Sequence, residues 1–170
     1  PIGVGLGLSL KIKKQKGLSF VFLGDGAVES GVFYEALNFT AVKKLPVIFI
    51  CENNLYSVYS SLEVRQPKNR KIYKLAREIG IKSEHCDGMD PLKIYKCLKR
   101  TISETTRGKG PQFIEFSTYR WREHCGPNYD NDIGYRTLKE FKFWKKKDPL
   151  RKLKKLILKK SPAQKKNLIN

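Results

Sequence analysis

The sequence predicts an α/β fold, a mostly parallel, open sheet with helices on both faces, and three observations lead there. Residues 18–23 (LSFVFL) and 47–51 (VIFIC) are continuous apolar runs of strand length, the first bounded by Gly17 and Gly24 and the second opened by Pro46. Between them, residues 30–44 return to helical spacing through Phe33, Ala36, Leu37 and Ala41, which makes a strand, helix, strand unit. Neither apolar run alternates with polar residues, as expected of strands buried on both faces of a parallel sheet covered by helices.

The remaining elements follow in chain order. Residues 3–14 have helical periodicity, with Val4, Leu8 and Ile12 on one face. Residues 70–79 form a further helix stopped by Gly80. Asp90 is a good N-cap and Pro91 suits the first helical position of a helix reaching about Thr106, broken by Gly108 and Gly110. Residues 112–119 (QFIEFSTY) have strand character, whereas residues 120–136 are too rich in Gly, Pro, Asn and Asp to be regular. Two helices, residues 137–146 and 150–160, close the chain around Asp148-Pro149. The expected organisation is one α/β domain over residues 1–146, without internal repeats, and a Lys-rich helix and tail over residues 147–170.

Composition narrows the classes. A chain of 170 residues with 40% hydrophobic and 11% aromatic content buries a real core, which excludes a disordered chain and a small disulfide scaffold. Cys51, Cys86, Cys97 and Cys125 contain no CxxC pair, so neither a zinc site nor a disulfide framework is expected, and the thiols are read as reduced. No run of about 18 apolar residues is present to span a membrane, and no signal segment opens the chain, so a cytoplasmic location is expected. The opening Pro1, running into an apolar-periodic stretch with no capping residue, reads as a cut inside a longer protein. The net charge is +19, of which residues 141–170 hold +11 through twelve basic residues and one acid. A nucleic-acid binder is the rival reading of that charge. Against it, Lys dominates over Arg, no aromatic ladder interleaves the tail, and Leu153, Leu156 and Ile157 form an amphipathic stripe. A solvated helix face fits better, with contact to an acidic partner as the other option, recognisable by salt-dependent association.

The residues that point to chemistry sit at the C-terminal ends of two strands, where open α/β sheets place ligands. Gly24-Asp25-Gly26-Ala27 follows the first, and Glu52-Asn53-Asn54-Leu55-Tyr56 the second. Adjacent parallel strands joined by a right-handed crossover bring these loops side by side, so that Asp25 and Asn54 converge. A carboxylate, an amide oxygen and a nearby backbone carbonyl are hard oxygen ligands suited to Mg²⁺, which commonly shares its sphere with phosphate. Gly24 and Gly26 leave backbone amides open to a phosphate, and the following helix would aim its N-terminus at the same place. Either turn alone is common; the pair, each at a strand end, calls for a diphosphate bridged by magnesium. Competing phosphate motifs fail, since there is no Walker-type loop and Gly3-x-Gly5-x-Gly7 lacks the spacing and preceding strand of a dinucleotide fingerprint.

Gly-Asp-Gly, 26 residues and then Asn-Asn resembles the thiamine diphosphate motif. The stretch GDGAVESGVFYEALNFTAVKKLPVIFICENNLY is similar to the alpha subunit of the first component of 2-oxoacid dehydrogenases, the pyruvate, branched-chain and acetoin group. DGMD at residues 87–90, TYRWREHCGPNYDNDIGYRT at 118–137 and Asp148-Pro149 extend the resemblance to about Leu158.

The resemblance implies a thiamine diphosphate-binding fold and a set of roles. Asp25 and Asn54 would donate side-chain oxygens to Mg²⁺, with the Tyr56 carbonyl as third ligand. Gly24, Gly26 and Ala27 would form the diphosphate loop, the last two through backbone amides. Arg120 would pair with phosphate, and His124 would be the active-site loop histidine that contacts the diphosphate or assists acyl transfer. His85 matches no family site. The implied activity is oxidative decarboxylation of a 2-oxoacid, pyruvate foremost, with the acyl group passed to a lipoyl group; acetoin cleavage is the alternative. The implied partners are a beta subunit, in a two-alpha, two-beta heterotetramer, and the lipoyl domain of an acyltransferase component. The glutamate that activates the cofactor's pyrimidine ring belongs to the beta subunit, so no residue here is sought for it. Cys125 stands where regulated animal and plant members carry a phosphorylatable serine, so phosphorylation there is not expected, and an exposed cysteine would instead be open to oxidation. A non-catalytic relic is opposed by the presence of Asp25, Asn54, Arg120 and His124 together.

Overall fold

The structure is a computed structural model that describes residues 1–160; residues 161–170 of the predicted tail lie outside the described residues. The chain runs α1 (Ile2–Ile12), β1 (Ser19–Gly24), a 3₁₀ turn (Asp25–Glu29), α2 (Gly31–Lys43), β2 (Val47–Asn53), β3 (Tyr56–Ser57) and β4 (Ser60–Ser61). It continues through α3 (Leu62–Arg65), α4 (Ile72–Glu78), β5 (Lys82–Asp87), α5 (Pro91–Thr106), β6 (Gln112–Ser117), α6 (Leu138–Lys145) and α7 (Pro149–Lys160).

Four strands form a wholly parallel sheet in the order β1-β2-β6-β5, with Gly24 opposite Glu52, and Asn53 and Asp87 both opposite Ser117. The central strand β2 explains the two-layer packing. Its Val47, Phe49 and Cys51 pack with Val4 of α1, Phe33 and Leu37 of α2 and Ile72 and Ala76 of α4. Its Ile48 and Ile50 face the other way, onto Cys97 of α5. A strand buried on both faces has no polar position to alternate with, which is why VIFIC reads as one apolar run.

Two glycines of the opening PIGVGLGL segment have a packing reason. A Cβ at Gly3 would lie 2.5 Å from Val21 Cγ2, and one at Gly7 would lie 2.4 Å from Val47 Cγ2. Four residues apart, they share a helix face, and their missing side chains let α1 lie directly on β1 and β2. The start of α5 is as the sequence predicts: Asp90 Oδ1 accepts the Leu92 and Lys93 N–H groups and Pro91 opens the helix. Thr137 caps α6 by accepting the Glu140 N–H at 3.1 Å.

Four features differ from expectation. Strand β5 pairs with β6 at the sheet edge, although KSEHCD has no apolar run to announce it. The acid Asp25 opens a five-residue 3₁₀ turn that the sequence does not announce, ahead of α2, which starts at Gly31, within one residue of its expected start. Two short strands, β3 and β4, form a hairpin where only a loop was expected. Finally, β1 is not buried on both faces: Phe20 and Phe22 are 41% and 65% exposed. Helix α5 packs on β2 and β6 and leaves the same face of β1 bare.

The terminal helix α7 lies near the start of α5. Lys152 Nζ pairs with Asp90 Oδ2, and Leu153, Leu156 and Ile157 are half-buried. Among the described residues no helix is long and apolar enough to cross a membrane.

Candidate functional site

Because β1 and β2 are neighbours, the two predicted loops meet at the carboxyl end of the sheet. The Asn54 N–H donates to Asp25 Oδ1 at 3.2 Å, and Asp25 is 1% exposed. The adjacent asparagines divide the work. Asn53 points inward, its Nδ2 donating to buried Glu115 Oε1 at 2.7 Å, while Glu115 Oε2 accepts the Tyr73 N–H at 2.9 Å. Asn54 Oδ1 accepts the Tyr56 N–H at 3.0 Å, and Asn53 Oδ1 accepts the Leu55 N–H at 3.2 Å. These consecutive Asx turns reverse the chain through Leu55, which sits at φ +74° in the left-handed region.

The hairpin that follows folds over the acid. A Cβ at Gly26 would meet Ser57 Oγ at 2.5 Å, so this glycine is required by a close approach, whereas Gly24 has open space around it. From α3, Arg65 enters the corner. Its Nη2 pairs with Asp25 Oδ2, its Nη1 with Glu29 Oε1 and its Nε donates to the Ser60 carbonyl at 3.2 Å. Gln66 Nε2 adds a bond to Glu29 Oε1 at 3.0 Å. Asp25 therefore has both carboxylate oxygens engaged, one by an amide and one by a guanidinium.

Tyr56 is buried and turns its phenol away from this corner, donating to the Glu140 carboxylate at 2.8–2.9 Å. Burial, followed by the Glu140 carboxylate, holds that phenol protonated well above the usual tyrosine range. Arg120 Nη2 donates to the Val58 carbonyl at 2.7 Å, at the tip of the same hairpin, and to Tyr135 Oη at 3.2 Å. Its Nε is buried with no partner among the described residues. Residues 120–136 are irregular as predicted and are organised by Arg136, whose guanidinium pairs with Asp130 Oδ1 and donates to the Arg120 carbonyl at 2.6 Å. Arg136 and Asp130 are both nearly fully buried. His124 and Cys125 are exposed on this loop, and no hydrogen bond among the described residues ties His124 to Asp25 or Asn54.

The structure thus brings Asp25, Gly26 and Asn54 into one corner, sets Tyr56 beside them, and links Arg120 to them through the hairpin. It leaves His124 at the surface. Sequence reasoning missed Arg65, Glu115, Glu140 and Arg136; the first three lie in segments without a motif, and Arg136, although inside the 118–137 stretch, has no role implied there, so only the charge at a buried position in the fold marks them. A cleft of about 670 Å³ opens beside the corner, lined by Asn53, Tyr56, His85, Glu115, Ser117 and Glu140 among others. His85 Nε2 sits 2.6 Å from Ser117 Oγ at its wall.

The donor set fits a magnesium diphosphate better than a bare metal. Among the described residues no three His, Cys, Asp or Glu side chains converge, so a cation at Asp25 would take one carboxylate, one amide oxygen and backbone from this chain. Phosphate oxygens and water would complete six hard ligands. The partnerless Arg120 Nε and the side-chain-free Gly24 are of the kind that a phosphate uses.

An open parallel sheet, with buried Asp25 meeting the Asn54 backbone at adjacent strand ends, is an α/β fold of the class that places ligands at the carboxyl edge of the sheet. The chain belongs to the dehydrogenase E1 component family, whose sequence profile matches residues 1–169. It is 36% identical over 168 residues to the pyruvate dehydrogenase E1 component subunit alpha of Rickettsia bellii, covering 99% of this chain and 50% of that one. It is 37% identical over 150 residues to the 2-oxoisovalerate dehydrogenase subunit alpha of Bacillus subtilis, covering 88% and 44%. The chain spans about half the length of the curated relatives it matches. A Mycobacterium smegmatis structure assigned to thiamin diphosphate-dependent enzymes shares the fold, with a TM-score of 0.54 at 19% identity over 69% of this chain and 21% of that one.

Proposed function

We propose that this chain is the cofactor-binding part of an alpha subunit of a 2-oxoacid dehydrogenase first component, with pyruvate as the foremost substrate. The carrying observation is the meeting of buried Asp25 with Asn54 at adjacent strand ends. In this reading Asp25, Asn54 and the Tyr56 carbonyl hold Mg²⁺. The Gly26 and Ala27 amides, with Gly24 leaving room, receive the diphosphate, and Arg120 neutralises it. When bound, thiamine diphosphate supplies a carbon nucleophile and an electron sink for loss of CO₂ from a 2-oxoacid. The chain's own work is positioning and electrostatics. The Tyr56 phenol keeps its proton and anchors Glu140, fixing the strand whose carbonyl is offered to the cation. In this reading His124, on the exposed loop, would act on the substrate-derived intermediate or in acyl transfer to the lipoyl group of an acyltransferase partner.

Membership of a family that includes named alpha subunits supports a beta subunit as partner, and in this reading the working particle is a cytoplasmic heterotetramer. The test is turnover by the full alpha subunit co-expressed with its beta subunit, with an artificial electron acceptor, across pyruvate, 2-oxoisovalerate and acetoin. Acceptor reduction with a 2-oxoacid that needs both Mg²⁺ and thiamine diphosphate is expected. Turnover of acetoin alone would reassign the substrate, and no turnover of any of them would contradict the reading.

A further inference from the structure

The guanidinium of Arg65 occupies the cation side of the predicted metal ligand. Asp25 is 1% exposed, and its Oδ2 is paired with Arg65 Nη2, itself in a side chain only 10% exposed. The other two nitrogens are anchored elsewhere, Nη1 on Glu29 Oε1 and Nε on the Ser60 carbonyl at 3.2 Å. Nη1 also lies 3.4 Å from where a Cβ at Gly26 would stand, so the guanidinium already borders the loop assigned to the diphosphate.

We propose, resting on the metal-diphosphate assignment above, that Arg65 is an internal counter-ion that makes cation binding conditional on the diphosphate. The charges give the reason. Asp25 and Glu29 against Arg65 leave the corner with one net negative charge. A divalent cation arriving alone turns that into a net positive corner, with two cations competing for one buried carboxylate. A cation arriving with a diphosphate brings its own compensation, and Arg65 releases Oδ2 while staying tethered through Glu29 and Ser60. Its freed Nη2 then faces phosphate oxygens in a charge-assisted pair. Arg65 is in this sense a positioning residue: it blocks the bare metal and rewards the metal complex.

The experiment titrates the full-length protein with two probes, Mn²⁺ alone and Mn²⁺ with inorganic pyrophosphate, reading heat by calorimetry and free Mn²⁺ by electron paramagnetic resonance. Arg65→Gln is expected to bind Mn²⁺ alone at least about tenfold more tightly than wild type, and Mn²⁺-pyrophosphate at least about tenfold more weakly. No change in either arm, or a change in the pyrophosphate arm alone, would overturn the counter-ion role. Asp25→Ala separates this from the underlying assignment. Wild-type binding of Mn²⁺-pyrophosphate by Asp25→Ala sinks the metal-diphosphate site itself; its loss, with Arg65→Gln behaving as wild type, sinks only the role of Arg65. Should Arg65→Gln not fold, Arg65→Lys decides. One ammonium cannot hold Asp25, Glu29 and Ser60 together, so tighter binding of Mn²⁺ alone and a loss of at least about threefold for Mn²⁺-pyrophosphate are expected, and wild-type affinity in both arms, or a change in the pyrophosphate arm alone, would overturn the proposal.

Discussion

The corner at Asp25 and the loop of residues 120–136 are both parts of the candidate site, and they are built in opposite ways. The corner is set by backbone: β1 and β2 pair in register from Ser19–Val47 to Gly24–Glu52, and the two loops meet because the strands do. The loop has no ladder. It is held by the buried Asp130 carboxylate, which pairs with Arg136, accepts the Tyr135 hydroxyl at 2.7 Å and lies 4.0 Å from Arg120, and by the aromatic rings of Tyr119, Tyr135 and Phe141 that lie 5.1–5.7 Å from the Arg136 guanidinium. A site part fixed by a parallel sheet keeps its geometry as long as the core survives, whereas a part fixed by side chains depends on each of them.

Arg136→Leu is the substitution that breaks the contrast most sharply. It takes the Oδ1 partner from the buried Asp130 carboxylate, leaving the Tyr135 hydroxyl on Oδ2 at 2.7 Å and Arg120 at 4.0 Å, and the expected loss is about 3 kcal/mol, measured by denaturant unfolding. Amide exchange should accelerate across residues 120–136 and stay slow in β1 and β2; equal acceleration in the strands would show that the two regions are one unit. Glu115→Ala strikes the corner instead. It leaves the Asn53 amide and the Tyr73 N–H buried without acceptors, for an expected cost of about 2–3 kcal/mol, and here the strand ends should loosen while the loop is retained.

Alkaline pH offers a further separation. Cys97 is pushed up from 9.0 to about 12, by burial first and then by Glu84. Tyr119, which starts the loop, is pushed up from 10.0 to about 12, by burial first and then by Glu140. In both cases the folded state holds its proton more tightly than the unfolded chain does. The stabilisation is therefore complete below about pH 9 and is lost as pH rises through about 12. The urea midpoint is expected to fall over that window, less so in Cys97→Ala; a flat profile would contradict the burial of both groups.

The smallest expected effect is at the hairpin tip that joins the two regions. Val58 is β-branched at φ +52° and stands first in the two-residue turn between β3 and β4, where glycine is favoured. Val58→Gly should stabilise by about 1 kcal/mol through relief of left-handed strain, visible as a rise of about 2–4 °C in Tm, with the Arg120 bond to the residue 58 carbonyl kept.

What could be read from sequence follows the same division. Strands β1, β2 and β6 announce themselves because sheet burial demands apolar runs, and α5 because Asp90-Pro91 is a local capping signal. Asp25 and Asn54 could be paired because strand ends fix where loops go. Strand β5 could not be read, since KSEHCD is polar and gains its shape only from the edge of β6. The exposure of Phe20 and Phe22 was equally hidden, because an apolar run does not say how far α5 reaches across the sheet. Arg65 was missed for a different reason. It lies 40 residues from the Asp25 it pairs with, and the tertiary contact, not any pattern around it, gives it a role.

Asp25 and Asn54 are proposed as a cation-dependent diphosphate site. Calorimetric titration of thiamine diphosphate into the full alpha subunit with its beta partner, with and without Mg²⁺, in wild type and Asp25→Asn, addresses it most directly. Binding that requires Mg²⁺ and weakens by at least about 100-fold in Asp25→Asn is predicted, the loss of a charged metal ligand in a buried site. Equal binding by the variant, or binding indifferent to Mg²⁺, would contradict the account.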